Sequence, residues 1–268
     1  MPVSSPAFRS SRSSRSNQKR RKRSGILARF AAILALTACA TQSVAPTDLA
    51  RIKTVGIVSA IGDVIILNHV GTTAFTNDEE FNTKVDWGLD AAAVQSAAAK
   101  LDGRYEVRSV SYDAAPFAGP PRGFSGLFDK ERPLGEIVRD SVRPQGLDAY
   151  IVLRRDRQTL PNQDWLEGLG LDDHNFLGIH TDAIYAAYRV AVIDGRSMKV
   201  LAEMPATSKE PGDYFSGPGL PMQPVDHSLW GDSLATMSSE QQEKLQEGLR
   251  TLVDRSLTTT FRSLHLID

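Results

Sequence analysis

The stretch "AIYAAYRVAVIDGRSMKVLAEM", Ala183 to Met204, decides how the rest of the chain is read. Ala183 to Ile193 and Met198 to Met204 read as two strands, with "DGRS", Asp194 to Ser197, as the turn between them. Upstream, "LDAYIVLRR", Leu147 to Arg155, reads as a buried strand, and "PLGEIVRDSVRP" as a short helix. In that helix Pro133 suits the first turn and Pro144 follows the end. "RYEVRSVSYD" alternates Tyr105, Val107 and Ser109 against polar neighbours, as a strand does. "FNTKVDWGLDAAAVQSAAAKL", Phe81 to Leu101, is expected to be helical, with Phe81, Val85, Leu89 and Ala92 on one face. Before it, Ile52 to Ser59 and Asp63 to Val70 read as two strands joined as a hairpin at Gly62 and Asp63.

Two stretches read as long loops. Asp156 to Asp182 is rich in Gly, Asp, Asn and aromatics, and Pro205 to Met237 carries five prolines. The chain closes on a predicted amphipathic helix, entered by a capping box at Ser238 with Gln241 or Ser239 with Gln242. Leu245, Leu249, Leu252, Ser256, Leu257, Phe261 and Leu264 form its long apolar face, which covers the domain's own sheet or docks to a partner. The expected order is β-β-α-β-α-β-β-β-α, an α/β (α+β) fold with one mixed sheet, helices packed on it and two long loops. Residues 51–268 suffice for one such domain.

Charge is distributed unevenly. The first 47 residues hold nine basic residues and no acidic one. The remainder sets 22 basic residues against 32 acidic ones, a net charge of −10. An acidic body argues against nucleic acid as a partner, because that binding needs a Lys/Arg footprint to displace counterions. At the N-terminus, "RSSRSSRSNQKRRKRS" is followed by the apolar "GILARFAAILALTA", Gly25 to Ala38, and then by the chain's single cysteine, Cys39. Basic, then apolar, then small is the order of a secretory signal, and the apolar run is short of the ~20 residues of a membrane span.

Leu36-Thr37-Ala38-Cys39 resembles the lipobox of bacterial lipoproteins. The resemblance implies a signal peptide over 1–38, diacylglycerol on the Cys39 sulfur, and acylation of the amine freed by cleavage. Stable anchoring takes two or more acyl chains, at roughly 0.8 kcal/mol per buried CH₂. Residues 39–50 would be a lipidated tether, and the membrane would be a partner through the lipid. Ala40, where an Asp commonly retains such proteins in the inner membrane, implies the outer membrane of a Gram-negative envelope, facing the periplasm. The body resembles the periplasmic α/β domain of curli-secretion lipoproteins and the amino-terminal domain of TolB-like proteins, on "KTVGIVS", "GLDAYIVL" and "YRVAVIDGRSMKVLAE". That resemblance implies an assembly module and carries over no functional residue.

Chemistry is sparse. "LDDHNFLGIHTD", Leu171 to Asp182, concentrates Asp172, Asp173, His174, His180 and Asp182, and Asp172, His174, His180 and Asp182 are the candidate metal ligands. The six-residue histidine spacing matches no common zinc motif, and a solvated polar loop is the ordinary content of such a segment. His227, in the other long stretch, joins only if the two stretches meet. "RGFSGLF", Arg122 to Phe128, lacks the last glycine of a nucleophile elbow. Phosphate-cradling glycine motifs are absent from the sequence. Trp165, Phe176, Tyr214, Phe215, Met222 and Trp230 are aromatic or soft anchors that either meet a partner or close the core. The expectation is a non-catalytic binding or assembly module of the envelope, without cofactor, whose partner is an envelope protein or a second copy of itself. The alternatives are a lipid-anchored metal-dependent hydrolase and a small-ligand carrier.

Overall fold

A computed structural model describes residues 43–62, 64–71, 77–117, 132–160, 165–211 and 219–268. Cys39, "RGFSGLF", Tyr214 and Phe215 lie outside them, and so does the side chain of Phe176. The described chain is α+β, with a mixed sheet and helices packed against it. Its elements are α1 (Pro46–Leu49), β1 (Thr54–Ala60), β2 (Val64–Val70), β3 (Asn77–Lys84), α2 (Leu89–Leu101), β4 (Glu106–Arg108) and β5 (Ser111–Tyr112). There follow α3 (Leu134–Ser141), β6 (Val142–Arg143), β7 (Ala149–Arg155), β8 (Arg157–Thr159), β9 (Trp165–Phe176), β10 (Ile179–Asp194), β11 (Val200–Pro205), β12 (Met222–Val225) and α4 (Ser239–Ser263). Among the described helices none is long and apolar enough to cross a membrane.

The hairpin expected over Ala183 to Met204 is present, with β10 and β11 antiparallel and Ala191 opposite Glu203. Its first strand is longer than its sequence pattern indicates. β10 pairs antiparallel with β7 along Tyr188–Asp194 and with β9 along Ile179–Ala187. It also pairs with β11 and β12. The stretch expected as a loop before it is therefore largely strand. Gly170 permits this: a Cβ there would collide with the Ile66 carbonyl and the Tyr185 ring, so only glycine lets the neighbours close on β9.

Two other expectations change. β1 and β2 do not form a hairpin. β1 runs parallel to β7, β2 runs parallel to β9, and both partners run antiparallel to β10, so the chain continues in one direction from β1 to β2. Gly62 marks a break rather than a reversal. Asp90 Oδ1, at the start of α2, accepts from Ile61 N at 2.7 Å, Gly62 N at 3.3 Å and Ser59 Oγ at 2.6 Å, replacing ladder bonds lost at the break. The helix expected from Phe81 begins only at Leu89, since Asn77–Lys84 is a strand paired with β2. Gly88 has φ +64°, a left-handed conformation that separates the two elements.

Helices cover both faces. α2 and α4 bury the face carrying Ile57, Ile151, Leu169, Ile184 and Tyr188. α3 covers the other, where Ile137 and Val138 meet Val58, Tyr150 and Val152. All seven residues named for the apolar face of α4 are buried. Its capping box is formed, with Ser238 N donating to Gln241 Oε1 and Gln241 N donating to Ser238 Oγ. The segment expected as tether packs onto the domain from Val44, which is fully buried and donates its N–H to the Leu264 carbonyl after α4.

Candidate functional site

Strand register builds the site. Asp173 on β9 stands opposite Asp182 on β10 and beside His69 on β2. Cross-strand neighbours share a face of the sheet, and so does His180, two residues before Asp182. This is the face that α2 and α4 cover further along, where Leu67, Leu171 and Ile184 sit in the core. Beyond those residues the same rows change from aliphatic to His and Asp. His227 closes the group from a short helical turn, His227–Leu229, placed there because β12 pairs with β10 at Asp182 and Val225.

The geometry is tight. His180 Nδ1 lies 2.8 Å from Asp173 Oδ1, and His69 Nδ1 lies 2.7 Å from Asp173 Oδ2. His227 Nδ1 lies 2.7 Å from Asp182 Oδ2. Against an ionised carboxylate, which only accepts, the ring N–H donates. One ligand atom from each of Asp173, His180, Asp182 and His227 lies within 4.8 Å of all the others. The His180 and His227 rings stack with centroids 3.7 Å apart, and the His69 ring tilts against Trp230 at 5.8 Å. The two carboxylate side chains are 1% exposed, whereas the His180 and His227 side chains are 27% and 48% exposed. The acids form the floor and the imidazoles the rim.

Electrostatics separate the two acids. Burial pushes the Asp182 carboxyl above its ordinary value, and the facing Asp173 adds to this; His227 opposes it. At Asp173 burial acts in the same direction, but hydrogen bonding within the group, from Asp182, His180 and His69, outweighs it and holds that carboxyl below the usual range. Asp182 Oδ1 is buried and accepts no hydrogen bond from the described residues.

The four candidate ligands read from sequence do not converge. Asp172 and His174 lie on the opposite face, where Asp172 Oδ1 accepts from Asn68 Nδ2 at 2.5 Å and Oδ2 lies 3.0 Å from His174 Nε2. His180 and Asp182 belong to the group described, completed by Asp173 and His227. His69 was hidden inside a strand read for its apolar residues. The signal that could have found the set is the i, i+2 spacing of His180 and Asp182, which suits one face of a strand, not a helix or a zinc finger. Trp165 is exposed beneath the Arg157 guanidinium, and Trp230 packs against His69 and the core.

A cleft of about 270 Å³ adjoins the site, lined by Ile184, Val225, Leu229, Gln241, Lys244 and Gly248. It falls just below the ~300–1,000 Å³ range of ligand pockets. Gln241 Nε2 donates to the Ser228 carbonyl at 2.8 Å and to the Trp230 carbonyl at 3.2 Å, tying the turn that carries His227 to the start of α4.

No protein-family model matches the chain, and no curated protein does. A solved structure, that of the hypothetical protein CT253 from Chlamydia trachomatis, is similar over 77% of this chain and 98% of that one, at 12% identity and a TM-score of 0.26.

Proposed function

We propose that the chain is a lipid-anchored lipoprotein of the cell envelope, held in the outer membrane and facing the periplasm, that works by binding and not by catalysis. The observation that carries this reading is Leu36-Thr37-Ala38-Cys39 at the end of the apolar run, and the placement of the site along β10 is compatible with it. The chain enters the domain at Val44, beside the end of α4, and Arg51 pairs with Asp194 at the last residue of β10. Asp182 lies twelve residues earlier on the same strand, about 40 Å away at the ~3.3 Å rise of a strand. A lipid on Cys39 would hold the Val44 end near the bilayer and present the His/Asp group away from it. Its partner would be an envelope component or a second copy. Cys39→Ser should abolish fatty-acid labelling and release the chain from the membrane fraction; retention there would refute anchoring. In-cell crosslinking from an exposed position such as Ile179, at the tip of the β9–β10 hairpin, should capture the partner.

A second reading, a lipid-anchored metal-dependent hydrolase, is favoured by the His/Asp group lying next to the 270 Å³ cleft. It requires an ion with an open position for water. Turnover of phosphoester or carboxylester probes by the purified chain, lost on chelation and restored by metal, would replace the non-catalytic reading with this one.

A further inference from the structure

We infer that Asp173, His180, Asp182 and His227 bind one divalent transition-metal ion of the zinc class. This deepens the binding reading above by naming the ligand of its site, and rests on it for location but not for anchoring.

Three features carry the inference. The first is convergence: four donor atoms from β9, β10 and the turn after β12 lie within 4.8 Å of one another. A tetrahedral ion with ligands at ~2.0–2.2 Å spaces them about 3.4 Å apart, a shift that side-chain rotation of this size can supply. The second is an unmet demand. Two carboxylates that are each 1% exposed face each other across adjacent strands, and Asp182 Oδ1 is buried without a hydrogen-bond donor among the described residues. Buried acids are tolerated when they are paired or hold a metal. Asp173 has two imidazole partners, while Asp182 has one and otherwise meets only the facing acid, an acid–acid contact that a cation between them would relieve. The third is access: the histidine rim is partly exposed, so an ion can enter without the sheet opening.

The donor set names the class. Two imidazoles and two carboxylates suit zinc, or nickel, cobalt and copper in the same oxidation state. Calcium and magnesium prefer oxygen alone, and calcium takes six to eight such ligands. His69 is a positioning residue. Its Nδ1 holds Asp173 Oδ2 while Trp230 backs the ring, which fixes the carboxylate with Oδ1 on the His180 side of the group. Asp172 and His174, on the other face, take no part.

The test is zinc titration of the full-length chain in detergent after chelator treatment, with bound metal counted by mass spectrometry. The expected result is one Zn²⁺ per chain, not displaced by a hundredfold excess of Ca²⁺ or Mg²⁺. A cobalt-loaded sample should show the visible absorption of a tetrahedral site. His227→Ala should weaken binding at least 100-fold; this ring is half-exposed, so the variant should keep its circular dichroism and melting temperature without metal. His180→Ala should do the same, and His69→Ala should weaken binding by about 10- to 100-fold. His174→Ala, on the other face, and His265→Ala, exposed just after the end of α4, should bind as the parent does. Binding below one ion per chain, undiminished binding in His227→Ala, or equal loss in His174→Ala would overturn the assignment. Cys39→Ser should bind zinc normally, so failure of metal binding and failure of anchoring are read separately.

Discussion

The two ends of β10 carry buried aspartates and treat them in opposite ways. At the end near Val44, Asp194 accepts from Ser197 N at 2.6 Å and Arg196 N at 3.1 Å and pairs with Arg51 at 2.8 Å. Next to it, Asp148 accepts from Lys53 N and Thr54 N and pairs with Arg196. The partners there are backbone N–H groups that need an acceptor, the Thr54 hydroxyl, and cations fixed in the chain. At the other end Asp173 and Asp182 face each other, their partners are titratable imidazoles, and one oxygen goes unmet. Burial opposes ionisation at both ends. At Asp194 the hydrogen bonds of Ser197 and the Arg51 charge overcome it, whereas at Asp182 the neighbouring acid reinforces it. A structural aspartate is completed by its own chain; the distal pair is left for something from outside.

Replacing each kind of acid sharpens the contrast. Asp194→Ala should cost about 1–3 kcal/mol, because it leaves the Arg196 and Ser197 N–H groups without their acceptor, while the exposed Arg51 keeps Asp48. Thermal or urea denaturation measures it, and a loss below about 1 kcal/mol would break the comparison. Gln241→Ala should cost about 1–2 kcal/mol by removing half of the capping box and both bonds to the His227 turn. Hydrogen exchange should accelerate over 227–230 while β11 stays protected.

Acid titration gives a smaller effect. Hydrogen bonding to Asp148, led by Thr54 N–H, holds its carboxyl low, and Asp194 is low as well. Below the ordinary unfolded value of about 3.9, the unfolded chain therefore binds more protons than the native one. This share of stability is present above that value and lost as pH falls through the folded values. Asp148→Asn should flatten the melting-temperature slope on the acid side of pH 4, and an unchanged slope would count against the assignment. Smallest of all, Asp182→Asn should leave stability of the metal-free chain within about 0.5 kcal/mol, or raise it, since an amide relieves the facing acids.

How far the sequence discloses this arrangement follows from which signals are local. The α4 face, its cap and the β10–β11 hairpin depend on nearby residues, and all were legible. Helix packing on a mixed sheet followed from them. The β9 strand was not legible, because Gly168 and Gly170 read as loop until Arg155 and Ile66 are seen against the first and Tyr185 against the second. The direction of β2 was hidden because its partner is far away: His69 meets Asp173 across 104 positions. Of the four residues named from the sequence, His180 and Asp182 fall in the group and Asp172 and His174 do not, for the same reason. Adjacent residues Asp172 and Asp173 look equivalent in a string, but a strand sends them to opposite faces.

The long β10 strand also constrains how the molecule can come apart. Four strands share its ladder, and its two halves serve the two ends of the domain. Fraying cannot start in its middle, so Ala186 to Val192 should exchange their amide hydrogens only when the whole domain opens. An ion held at one end would then slow proteolysis at the other, turning occupancy of the site into lifetime of the entire chain.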